Sequence, residues 1–113
     1  MPAKLSVITG TGTAAIAVSG TAQARGPRRL LSVRTHFGGT PTTSENFTIT
    51  LNSNAGTAYD TILVKNDLAA GSVTDLVYVP DEKIDLSAGD AIDVAYPNTD
   101  TKQYGVELTL GLT

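Results

Sequence analysis

Tyr104-Gly105-Val106-Glu107-Leu108-Thr109-Leu110-Gly111-Leu112 alternates large apolar residues with polar or small ones. A period of two places Val106, Leu108, Leu110 and Leu112 on one face of an extended segment and Glu107 and Thr109 on the other, the pattern of a half-buried β-strand. The same period runs back through the chain. Ile92, Val94 and Tyr96 alternate with Ala91, Asp93 and Ala95, and Phe47, Ile49 and Leu51 alternate with Thr48, Thr50 and Asn52. Between Arg28 and Phe37, residues Leu31, Val33, Thr35 and Phe37 share one face, while Arg28, Leu30, Ser32, Arg34 and His36 share the outward one. Two earlier strands are expected at 4–9 and 14–19, the second built of small residues suited to a sheet edge. The stretches at 59–65 and 74–79 are more continuously apolar, which predicts strands covered on both faces.

Turn signals separate these runs: Arg25-Gly26-Pro27, Gly38-Gly39-Thr40-Pro41, Asn52-Ser53-Asn54-Ala55-Gly56, Pro80-Asp81 and Pro97-Asn98-Thr99-Asp100. No segment has a sustained helical period; Leu68-Ala69-Ala70 is long enough for one turn. The fold class is therefore all-β, an antiparallel β-sandwich or jelly roll of about eight strands. Around Ser87-Ala88-Gly89 two readings stand. Either Leu86 and Asp90 close a three-residue hairpin loop on a left-handed Gly89, or the segment crosses between sheets and Gly89-Asp90 is a corner.

The 113 residues fit one sandwich domain over 25–113, preceded by an N-terminal arm with edge strands over 1–24. Charge divides along the chain. The first 44 residues hold Lys4, Arg25, Arg28, Arg29 and Arg34 and no acid, a formal +5; the rest set eleven acids against Lys65, Lys83 and Lys102, a formal −8. Such a split suits association with another copy or with an acidic partner surface. The chain has no cysteine, which excludes disulfides and thiolate metal sites. Ala22-Gln23-Ala24 has the small-x-small look of a signal cleavage site, but Thr9-Gly10-Thr11-Gly12-Thr13 interrupts the apolar run before it, so an arm followed by a strand is the preferred reading. No run approaches the ~18 apolar residues of a membrane helix.

Candidate chemistry is sparse. His36 is the only histidine and sits outward beside Arg34, with no nucleophile motif to serve, so no enzyme is expected. Asp81, Glu82, Asp85, Asp90 and Asp93 cluster in sequence, yet match no calcium loop, and Asp90 reads as a turn residue; no metal or cofactor is expected. Gly10-Thr11-Gly12-Thr13 lacks the lysine of a phosphate loop. Arg25, Arg28, Arg29, Arg34 and His36 form a basic patch without interleaved aromatics, which favours an acidic protein neighbour over nucleic acid. Tyr59, Tyr96 and Tyr104 are the residues that a sugar site would use, giving the alternative of a carbohydrate-binding or adhesin-like module on a tail fibre or cell surface.

Five segments carry a resemblance: Arg29-Leu30-Leu31-Ser32-Val33-Arg34-Thr35-His36-Phe37, Tyr59-Asp60-Thr61-Ile62-Leu63, Asp75-Leu76-Val77-Tyr78-Val79-Pro80-Asp81, Leu86-Ser87-Ala88-Gly89-Asp90-Ala91-Ile92-Asp93-Val94 and Tyr104-Gly105-Val106-Glu107-Leu108. Together they resemble small virion-associated proteins of tailed bacteriophages. The Leu86-to-Ile92 stretch is also similar to the corner of trimeric jelly rolls of the tumour-necrosis-factor and complement-head type. The resemblance implies a capsid decoration or cement protein on the virion surface, bound to the major capsid protein or other virion subunits, and a homotrimer. In that reading the arm reaches a neighbour by strand addition, and Lys4, Arg25, Arg28, Arg29, Arg34 and His36 contact the capsid or an adjacent subunit.

Overall fold

A computed structural model describes residues 5–112. Among them are nine strands: β1 (Leu5–Gly12), β2 (Ile16–Thr21), β3 (Arg29–Phe37), β4 (Asn46–Asn52), β5 (Thr61–Asp67), β6 (Asp75–Tyr78), β7 (Ile84–Asp85), β8 (Ala91–Tyr96) and β9 (Tyr104–Gly111). Sheet A runs in the order β1-β9-β3-β6, with the two-residue β7 also on β3; sheet B runs β2-β8-β4-β5. All pairings are antiparallel. Leaving β7 aside, eight strands wind between two sheets in the order of a jelly roll.

The alternating stripes meet between the sheets. Val106, Leu108 and Leu110 of β9 and Val33 and Phe37 of β3 face Ile16, Phe47, Ile49, Ile92, Val94 and Tyr96 of sheet B, all buried. Phe37 and Tyr96 meet across the layers edge to face, with ring centroids 5.4 Å apart, a favoured geometry for the aromatic quadrupoles. Leu112 lies past the end of β9 and is exposed.

Three expectations change. Leu30, read as outward, is buried at 2% exposure, and Leu31, read as inward, is only half-buried. The cause is a bulge: Leu30 pairs with Leu110 and Ser32 with Thr109, so Leu31 is an extra residue that resets the alternation. The strands β5 and β6 are not covered on both faces. They are the free edges of the two sheets on one side of the sandwich, and Ile62 and Val77 stand out at 59% and 69% exposure. Leu63 and Val64 do pack against the core, because the β4–β5 register shifts there as well. Finally, the stretch read as an arm belongs to the sandwich from Leu5 onward. β1 pairs with β9 over eight residues and β2 with β8 over six, so both are edge strands as expected, within their own chain. The β9 ladder uses one side of β1, and among the described residues no strand pairs with its other side.

The 87–89 segment is a corner. β7 lies in sheet A and β8 in sheet B, and Gly89 turns between them at φ 92°, where a side chain would be strained and a Cβ would lie 2.8 Å from Asn54. Asp90 is buried here. Its carboxylate accepts from the Ser87 N–H at 2.9 Å and the Asn54 N–H at 2.8 Å, and its carbonyl accepts from Ala22 N–H at 2.7 Å. A second polar hub sits at the opposite turn. Asn98, buried at φ 51°, donates through Nδ2 to the carbonyls of Thr13, Ala14 and Lys102 and accepts from the Lys102 N–H.

Asp100, two residues on, accepts from the Thr43 hydroxyl at 2.6 Å and from the Thr42 and Thr43 N–H groups. Those bonds, the Thr43 hydroxyl first, lower its pKa from 3.8 to about 2. Asp67, held mainly by Ser44, Asp75, held mainly by His36, and Asp85, held mainly by Arg29, are also lowered. A carboxyl more acidic in the folded than in the unfolded chain stabilises the fold above its unfolded pKa, and that contribution is lost as pH falls through the folded one. The melting temperature is therefore expected to hold down to about pH 4 and to fall between there and about pH 2. Asp100→Asn, followed by circular dichroism, should melt lower than the parent at pH 7 and show a shallower fall in acid.

Candidate functional site

The two outer faces of the sandwich differ. Sheet B shows solvent mainly small and polar side chains, among them Ser19, Thr48, Thr50, Asn52 and Asp93, with Ile62 exposed beside Thr50 at the β5 edge. Several are bonded to each other: Ser19 donates to Asp93 at 2.5 Å and Asn52 donates to Asp93 at 3.1 Å. The outer face of sheet A is different in kind. Of the seven exposed large apolar residues, Leu5, Val7, Val77 and Val79 stand on it or at its rim.

Register places the rest of that face in rows. Across the strands, Thr11, Gly105, His36 and Asp75 form one row, and Thr9, Glu107, Arg34 and Val77 form the next. Val7, Thr109 and Ser32 follow, with Val79 just past the end of β6. The first two rows surround an open groove of about 490 Å³. Gly105 lies on its floor, and a Cβ there would meet nothing within 4 Å. Neither backbone conformation nor packing demands glycine at that position. Its effect is to deepen the face at the centre of a strand, where glycine lets another surface approach closely.

The expected basic residues fall into two groups. Arg34 and His36 stand on this face, and Arg29 lies five residues back along β3, about 16 Å away at strand rise. Each meets an acid from a neighbouring strand. Arg29 grips Asp85 through Nε at 2.6 Å and a second guanidinium nitrogen at 3.3 Å. Arg34 pairs with Glu107, and His36 Nδ1 lies 2.5 Å from Asp75 Oδ1. All three pairs join an early strand to the acidic later part of the chain. Solvated pairs of this kind add little to stability, but they fix side-chain positions and offset the charges of Arg29 and Arg34. Arg25 occupies the exposed turn before β3, and Arg28 ties backbone at the sandwich corner, accepting from Leu86 N–H at 2.6 Å. Neither forms an ion pair among the described residues. Lys4 lies outside the described residues.

The other candidate groups disperse. Asp85, Asp90 and Asp93 are engaged by Arg29, the corner amides and Ser19 respectively, on different elements. Of the tyrosines that would line a sugar site, Tyr96 and Tyr104 are buried and only Tyr59 is exposed. The Tyr96 hydroxyl, without a hydrogen-bond partner among the described residues, has its pKa pushed up to about 12 by burial, with the Glu45, Asp100 and Asp67 carboxylates adding to the shift. Glu45 is instead engaged by Thr99, through its N–H at 2.9 Å and its hydroxyl at 2.8 Å.

No protein-family model matches the chain, and comparison with curated proteins gives no match.

Proposed function

We propose that this chain is a structural, non-enzymatic subunit of a tailed-phage virion, a decoration protein that lies on the head shell through the outer face of sheet A and associates with further copies of itself. The observation that carries the reading is the difference between the two outer faces. One is mainly polar and internally bonded, with Ile62 exposed at its β5 edge; the other carries exposed Leu5 and Val7 on one edge strand and Val77 and Val79 at the other, with a groove floored by Gly105 on the same face. The apolar side chains stand on the two edge strands of this face and oriented charge pairs stand between them, and exposed apolar groups beside fixed charges are what a protein partner can cover. Jelly rolls recur in capsid and lectin domains, although a fold by itself assigns no function.

Attachment then runs through a sheet face, with the major capsid protein as the partner. Arg34 and His36 set the register within the face, and Arg29 lies toward its rim. Arg25 and Arg28 at the corner offer the cations that an acidic shell surface attracts. Heads purified from the phage encoding the chain are expected to carry it in a fixed ratio to the major capsid protein, as measured by quantitative mass spectrometry. In rebinding to stripped heads, Val77→Asp, at a residue 69% exposed, should lower occupancy at least tenfold while leaving the melting temperature nearly unchanged. Heads that lack the chain altogether would overturn the reading. Undiminished binding of Val77→Asp would remove sheet A from it.

A further inference from the structure

The four edge strands of this sandwich are not equally protected. β5 carries Lys65, Asp67 and a register shift, and β6 is four residues long and begins at Asp75. Charges, irregularities and short length are the devices by which natural sheets keep an edge from pairing with another chain. β1 has none of them. Its eight residues, Leu-Ser-Val-Ile-Thr-Gly-Thr-Gly, contain no charge and no proline, and they pair with β9 in unbroken register from Leu5 to Gly12. Among the described residues no strand pairs with its other side. Leu5 and Val7 remain 59% and 51% exposed on it. β2, which stacks against β1 across the layers, is equally free of charge.

We infer that the free edge of β1 is a pairing edge and that its occupant is β1 of a second copy, joined antiparallel about a two-fold axis normal to the sheet. Charge selects this occupant. The chain after residue 44 carries a formal −8, so two copies repel wherever those parts meet, whereas β1 against β1 brings no like charges together. Face selects the register. Opposed residues must lie on the same side of the sheet, and centring on Ile8 is the arrangement that engages every residue from Leu5 to Thr11. It sets Leu5 opposite the second copy's Thr11 and Val7 opposite its Thr9 on the outer face, with Ile8 opposite itself on the inner one. Main-chain hydrogen bonds along an extended edge supply the affinity, as in other strand-addition contacts. The joined sheets would make one continuous outer face from two copies. A closed two-fold interface of this kind is isologous, and it replaces the three-fold symmetry that the phage and tumour-necrosis-factor resemblance implies.

The test uses purified full-length chain without capsids, so that it is independent of virion attachment. Light scattering should give twice the 11.7 kDa chain mass, at low and high salt alike, because the seam is uncharged. The variant Leu5→Lys/Thr11→Lys, at two exposed positions, sets lysines opposite each other across the seam and should return the monomer mass with the β circular-dichroism spectrum retained. Since the chain has no cysteine, single substitutions report the geometry directly. Oxidised Ile8→Cys should form covalent dimer at least tenfold faster than Ile62→Cys, which lies on the opposite, charge-guarded edge. A parent monomer at all concentrations, a trimer mass, or preferential cross-linking through Ile62→Cys would each overturn the inference.

Discussion

Asn98→Asp is expected to destabilise the fold by about 4 kcal/mol at pH 7, with three carbonyls losing their donor and a charge placed among them in a buried position. The substitution preserves shape and tolerates the left-handed backbone at φ 51°. What changes is the hydrogen-bonding capacity. Nδ2 of Asn98 donates to Thr13, Ala14 and Lys102 carbonyls at 3.1, 2.9 and 2.9 Å, and an ionised carboxylate donates to none of them. The introduced carboxyl would face acceptors in a buried site, so its folded pKa rises above the unfolded one. A raised pKa means the variant is least impaired below about pH 4 and loses stability as pH rises through the folded value. Urea midpoints at pH 4 and pH 7 check this. The gap between parent and variant should be several-fold larger at the higher pH, and an equal gap at both would refute the account.

Asp90→Ala should cost about 3 kcal/mol, again without touching the hydrophobic core. Two N–H groups, of Ser87 and Asn54, lose a carboxylate acceptor in a site where Asp90 itself is 9% exposed. Each buried donor left without a partner costs about 1–3 kcal/mol. At this chain length the change corresponds to a drop in melting temperature of roughly 12 °C, near 4 °C per kcal/mol. Scanning calorimetry gives the comparison, and Asp90→Asn, which keeps an acceptor oxygen, should recover about half of the loss. The loss should be structural in kind: the Asp90 carboxylate fastens the 53–55 loop to the 86–90 corner, so the variant should also exchange amides faster at Asn54 and Ser87.

Neither hub stood out in the sequence. Asn98 belongs to Pro97-Asn98-Thr99-Asp100, a composition that marks a turn and is silent on burial. Asp90 read correctly as a residue whose side chain bonds backbone, but Asn54, one of its two partners, is 36 positions away. Periodicity was far more informative. Val106, Leu108, Leu110, Ile92, Val94, Phe47 and Ile49 lie inward as their alternation requires, because a sheet with one covered face forces that pattern. It failed where the backbone breaks step, at Leu31, since an inserted residue leaves no mark in composition. It failed again at Ile62 and Val77, because an apolar run reads alike whether both faces are covered or one side stands open at an edge.

The interaction face was legible only in part. Arg34 and His36 were placed outward on one strand, as they are. Their neutralisation was hidden, because Glu107 lies 73 positions from Arg34 and Asp75 lies 39 from His36. A single sequence reports which face a residue takes within its own strand, and it does not report which strands become neighbours. Part of the lopsided charge along the chain is spent inside one molecule, where Arg29 and Arg34 meet Asp85 and Glu107.

Strand β9 fills the middle of sheet A, between β1 and β3, yet it is the last of the nine described strands in chain order. A ribosome therefore releases β1 and β3 long before the strand that joins them exists. Until β9 emerges, the face of β3 that will meet it and the charge-free length of β1 stay without their ladder. Assembly of this sheet is consequently a late event in biosynthesis, dominated by contacts between distant residues and slow for that reason. Chains stalled before residue 104 would present sticky, unpaired strands to one another.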